Sequence, residues 1–175
     1  MSMCSNFKWH SSVCFAAISL LLISAVHAQP QRTSPLTRLF LDVRNCARHL
    51  DHFYYDSHVE KIIAPTILGP DATDQFGPPE YFPETDQYVR FGSKWDFFGF
   101  PVDSIAVPVN TSPVNYTIIV NAAVKDLRNE IKRQTGALLE IIQRGKAGKI
   151  EGRADLMNGP GHNQSVFICY IPEDY

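Results

Sequence analysis

Residues Ser34 to Tyr55 read SPLTRLFLDVRNCARHLDHFYY, and the reading of this stretch sets the expected fold class. Ser34-Pro35 has the form of a helix start. The serine hydroxyl can accept an orphan backbone N–H, and proline at the first helical position lacks only a donor that would be unpaired anyway. From there Leu36, Leu39, Phe40, Val43, Ala47, Leu50 and Tyr54 recur at three- and four-residue steps. That spacing predicts one amphipathic helix running to about Tyr55, with Cys46 on the edge of its apolar stripe.

Downstream, Ala64 to Gln87 holds five prolines, two glycines and five acids. Proline fixes φ and removes donors, so a long Pro/Asp-rich loop is expected over 64–87 rather than a helix or a central strand. The aromatic run Tyr88 to Phe100 predicts one or two short strands against the core. Ser104 to Val109 and Val114 to Val120 alternate β-branched residues with others and read as strands joined by a turn at Asn110-Thr111-Ser112-Pro113. Asn121 can cap a second amphipathic helix marked by Val124, Leu127, Ile131, Leu138 and Ile142, with a break at Gly136. Arg144 to Gly161, with five glycines, reads as a flexible segment, and Ser165 to Ile171 as a final strand stopped by Pro172. The expected class is α+β: a single compact domain with two amphipathic helices packed on a small antiparallel sheet, plus the long loop.

Upstream, residues 1–12 carry one cation and no acid. Val13 to Val26 are apolar apart from two serines, and Val26-His27-Ala28 offers a small-residue exit. This is the pattern of a cleaved signal peptide over 1–28. The apolar run is fourteen residues, short of the ~20 that a spanning helix needs. Cleavage near Ala28 leaves a secreted, extracellular domain over 29–175, free of the membrane. Loss of Lys8 moves the net charge from −2 to −3. A weak negative charge argues against a nucleic-acid partner found by electrostatics.

The leader would also remove Cys4 and Cys14, leaving Cys46 and Cys169. Two cysteines of one domain in an oxidising compartment are most simply one disulfide. An intermolecular bridge and a catalytic thiol beside His49 are the rivals. The same compartment gives meaning to three N-glycosylation triplets, Asn110-Thr111-Ser112, Asn115-Tyr116-Thr117 and Asn163-Gln164-Ser165.

For chemistry, His49, His52 and Asp56 share one face if the first helix continues through them, with residue types that bind zinc or copper. That face lies opposite the apolar stripe, in solvent, so at most a weak metal site is expected. Asp71, Asp74, Glu80, Glu84 and Asp86 are oxygen ligands without the order of a calcium loop. Phe91, Trp95, Phe97, Phe98 and Phe100 read as core before they read as a carbohydrate platform. Lys132-Arg133 resembles a dibasic processing site but falls within the second helix, and Ile150-Glu151-Gly152-Arg153 matches a protease tetrapeptide. No nucleophile elbow, zinc helix, P-loop or dinucleotide fingerprint occurs. The expectation is a secreted non-catalytic glycoprotein without a cofactor, either a matrix component or a module binding an extracellular protein, carbohydrate or mineral surface. The alternatives are a small hydrolase or metal-binding enzyme using His49, His52, Asp56 or His162, and a processed peptide precursor.

Overall fold

A computed structural model describes residues 33–50, 53–82, 87–110, 115–143 and 153–171. The expected signal peptide, His52, the His49 side chain, Glu84, Asp86 and residues 150–152 of the protease tetrapeptide lie outside the described residues.

The chain is mostly β, which corrects the expected α+β class. The described residues form a seven-stranded antiparallel sheet, a separate two-stranded hairpin and only one helix longer than seven residues. Strands β1 (Tyr54–Asp56) and β2 (Lys61–Ile63) make the hairpin. The sheet has β3 (Phe76–Tyr81), β4 (Tyr88–Ser93), β6 (Phe100–Pro108), β7 (Asn115–Val120), β9 (Ser165–Tyr170) and β8 (Ala154–Asn158) in that spatial order, and β5 (Asp96–Phe97) pairs with β6. Helix α2 (Val124–Thr135) joins β7 to β8, and β9 inserts between those two strands.

The first helix is where expectation and structure part. Helix α1 spans only Pro35–Leu39. Its start is as read: Pro35 follows Ser34, whose Oγ accepts the Thr37 N–H at 3.1 Å. Beyond Phe40 the backbone groups find partners outside a helix. Asp42 Oδ1 accepts the Asn45 N–H, and the Val43 carbonyl accepts the Ala154 N–H of β8 at 3.1 Å. A 3-10 turn over Cys46–His49 follows, and the chain is extended from Tyr54. Leu36, Leu39, Phe40, Val43, Ala47 and Leu50 are nonetheless all buried. Their spacing records which side chains enter the core, and a helix is only one backbone path that achieves it.

Two other expected segments change as well. The 64–87 stretch contains 3-10 turns at Thr66–Leu68 and Ala72–Gln75, then β3 itself. Pro78 and Pro79 are tolerated because β3 is an edge strand, where a missing donor faces no partner. Strand β8 lies within the expected flexible segment 144–161. The second helix stops at Gly136, which takes the left-handed φ of 72° that closes a helix. Leu138, expected on its buried side, is exposed.

One face of the sheet carries the core. Phe40 meets Phe97, Tyr116 and Phe167 edge-on, with ring centroids 5.5–6.5 Å apart. The Phe53 ring stacks on Tyr116, and the Tyr116 hydroxyl donates to the carbonyls of Leu50 and Phe53. Leu127 and Ile131 of α2 complete the layer. Cys46 and Cys169, both buried, form a disulfide with Cα atoms 5.8 Å apart, which fastens the 3-10 turn to β9 across 123 residues of sequence. This N-terminal segment, α2 and the β1–β2 hairpin therefore share one side of the sheet.

Candidate binding groove

The second face of the sheet has a different character. Antiparallel pairing sets residues directly opposite one another on the same face. The registers Arg90↔Ala106↔Thr117 and Ser104↔Ile119↔Val166↔Met157 thus lay two adjacent rows across it. None of these residues belongs to the core cluster. They line a groove of about 670 Å³, within the ~300–1,000 Å³ range of small-molecule sites.

The groove's ends are built by backbone hydrogen bonds. On one side Leu156 N–H donates to the Glu140 carbonyl at 2.9 Å, and Ile142 N–H to the Leu156 carbonyl at 2.7 Å. These bonds hold Ile141, Ile142 and Gln143 as a wall beside β8. The β8–β9 turn adds Asn158, Gly159 and Pro160. Gln164 clamps that turn: its carbonyl accepts Gly159 N–H at 2.8 Å, its Oε1 accepts Gly161 N–H at 3.0 Å, and its Nε2 donates to Asn121 Oδ1 at 3.0 Å. No side chain at position 159 would fit, because a Cβ there would stand 2.6 Å from Gln164 Cβ.

At the far end, Arg90 faces its cross-strand partner Glu80. Nε donates to Glu80 Oε2 at 3.0 Å and Nη2 lies 2.7 Å from the same oxygen. The guanidinium also lies over the Phe82 ring, 5.4 Å from its centroid. Arg90 is the one charged side chain among the described lining residues. Ser104, Thr117, Gln143 and Asn158 supply hydroxyls and amides. Ser104 is buried beside a register shift between Val102 and Ser104, and its Oγ donates to Asp103 Oδ2 at 3.1 Å. Ala106, Ile119, Met157 and Val166 make the floor apolar.

The residues singled out in the sequence lie elsewhere. Asp56 belongs to β1, and its Oδ1 accepts the N–H groups of His58 and Val59 at 2.8 and 3.3 Å, closing the hairpin turn. The helical face that would have set it beside His49 and His52 does not form, since the chain is extended from Tyr54. His162 is exposed in the β8–β9 turn. Among the described residues no group of three His, Cys, Asp or Glu side chains is placed to hold a metal ion. Asn110 and Asn163 are exposed, each with a left-handed φ. Asn110 Oδ1 accepts from the backbone and hydroxyl of Ser57, whereas Asn115 is half-buried in β7 and accepts from the Thr117 hydroxyl. Phe91, Trp95, Phe97 and Phe98 are buried. Glu80 pairs with Arg90 instead of joining a cation site.

No protein-family model matches the chain, and no curated protein or solved structure matches it. The buried disulfide, together with the lack of any membrane-spanning helix among the described residues, is compatible with a secreted protein. The groove itself left a trace in the sequence. Ile118-Ile119-Val120 and Val166-Phe167-Ile168 are apolar on both faces of their strands. A strand with one solvated face alternates apolar with polar residues, so an unbroken apolar run implies that both faces meet something other than water.

Proposed function

We propose that this chain is a secreted binding protein that takes a small, mainly apolar molecule on the second face of its sheet. The single observation behind this reading is the 670 Å³ groove with an apolar floor, hydroxyls and amides along it and one guanidinium at its end. That composition matches the usual ligand pocket, in which apolar area supplies affinity and a few polar groups fix orientation. Binding is favoured over hydrolysis because the described lining residues include no imidazole, carboxylate or thiol, and hydrolysis needs a nucleophile with its base. The leader, the disulfide and the exposed Asn163 fit an extracellular glycoprotein. On this reading its partner is a small molecule rather than a protein, carbohydrate or mineral surface.

The test is saturable binding of the fluorescent probe anilinonaphthalene sulfonate to protein purified from culture medium. Ile119→Arg places a charge in the groove floor and abolishes binding, and Ala106→Trp fills the space and does the same. Leu138→Arg, at an exposed site outside the groove, leaves it intact. Near-UV circular dichroism verifies that each variant is folded. Equal probe binding by all four folded proteins overturns the proposal.

A further inference from the structure

Resting on that reading, we infer that the ligand is a long-chain carboxylate lying across the strands, with its acid group at Arg90 and its chain running over Ala106, Ile119 and Val166 to Met157. Arg90 is on β4, Ala106 on β6, Ile119 on β7, Val166 on β9 and Met157 on β8, consecutive strands of the sheet. Four inter-strand steps of ~4.8 Å give a floor of ~19 Å. A floor that long and apolar, with the one charged side chain among its described lining residues at the β4 end, fits an extended amphiphile better than a compact polar molecule.

The sign of the head group follows from charge complementarity. Among the described residues that line it there is one cation and no anion. Its guanidinium already holds a carboxylate, since Glu80 Oε2 takes both Nε and Nη2. A guanidinium has five N–H donors in a planar fork, so it can receive a second carboxylate or exchange Glu80 for it. The exchange is cheap because the pair is largely exposed, with side-chain exposures of 39% and 61%, and such pairs contribute little. Phe82, under the guanidinium, keeps the group in place when Glu80 leaves.

The experiment compares hexadecanoate with hexadecanol by displacement of the same fluorescent probe, below the aggregation concentration of each. The wild-type protein binds the acid about tenfold tighter than the alcohol. Arg90→Gln erases that preference while retaining the alcohol, and Glu80→Gln increases it by removing the competing carboxylate. Octanoate, which spans only part of the floor, binds more weakly than hexadecanoate. If acid and alcohol bind equally and Arg90→Gln changes neither, the carboxylate assignment is overturned and the groove reading stands. If neither amphiphile binds and Ile119→Arg leaves probe fluorescence unchanged, both are overturned.

Discussion

The hydroxyl of Thr37 accepts the backbone N–H of Phe98 at 2.7 Å, a bond between two buried residues 61 positions apart. Phe98 opens the turn between β5 and β6 with a φ of 50°, which side-chain-bearing residues rarely adopt, and Gly99 follows at 85°. Ser34 donates to the same Thr37 hydroxyl at 3.1 Å. The short helix α1 therefore acts as a bracket for an unfavourable turn. Thr37→Val keeps the shape but leaves the Phe98 N–H buried and unpaired, at a cost of about 1–3 kcal/mol. Thr37→Ser restores most of this. A urea midpoint for Thr37→Val equal to wild type would show that the bond contributes nothing.

Cys46 and Cys169 are buried to within 1% of complete. A reductant therefore reaches the bridge only when the protein opens, so the disulfide survives reductant in native buffer and is reduced once denaturant is added. The double variant Cys46→Ala/Cys169→Ala loses ~2–5 kcal/mol, since the bridge closes a loop of 123 residues. Titration of the thiols released by a reductant, with and without urea, reads the first expectation, and urea unfolding of the double variant reads the second. Rapid reduction without denaturant contradicts the burial.

Asp155, half-buried on β8, has its carboxyl held above the ordinary value of 3.8 by burial first and by the neighbouring charge of Glu140 second, with Arg153 opposing. An acid whose folded-state pKa is raised contributes stability below its unfolded pKa and loses it as pH rises through the folded value. Asp155→Asn, which never ionises, accordingly raises the melting temperature at pH 7. Below pH 3.8 the two proteins melt alike. An asparagine variant that is equally destabilised at both pH values rejects this account.

Gly159→Ala forces a Cβ to within 2.8 Å of the Gln164 backbone carbon. Overpacking of this kind costs ~1–3 kcal/mol, and the strain falls on the turn that ends the groove. The variant loses probe affinity along with stability. Gly136→Ala has open space at its Cβ and pays only for its left-handed φ of 72°. Its stability falls by ~1 kcal/mol while probe affinity is unchanged. Equal probe affinity in the two variants would separate the turn from the groove.

Sequence periodicity carried some of this architecture and concealed the rest. Strands β6, β7 and β9 were legible because β-branched residues repeat along them, and the 46–169 bridge followed from arithmetic once the expected leader was set aside. The α1 stripe was misleading in an instructive way. Every residue from Leu36 to Leu50 expected in the core is there, but Val43 gives its carbonyl to β8 instead of to a helix. Strand β3 was hidden by Pro78-Pro79, which exclude a central strand but not an edge. Strand β8 was hidden by the glycines around it. The groove had no local motif, because its floor draws Arg90, Ala106, Ile119, Met157 and Val166 from five strands that meet only when the sheet forms.

The Cys46–Cys169 bridge has a mechanical consequence. It encloses every described strand except the last residue of β9, so once tension reaches the two cysteines it passes through the sulfurs and not through the loop between them. Under force the oxidised molecule yields only the segments outside the bridge. The 123 residues within it, roughly 400–440 Å when fully extended, stay folded until the bond is reduced.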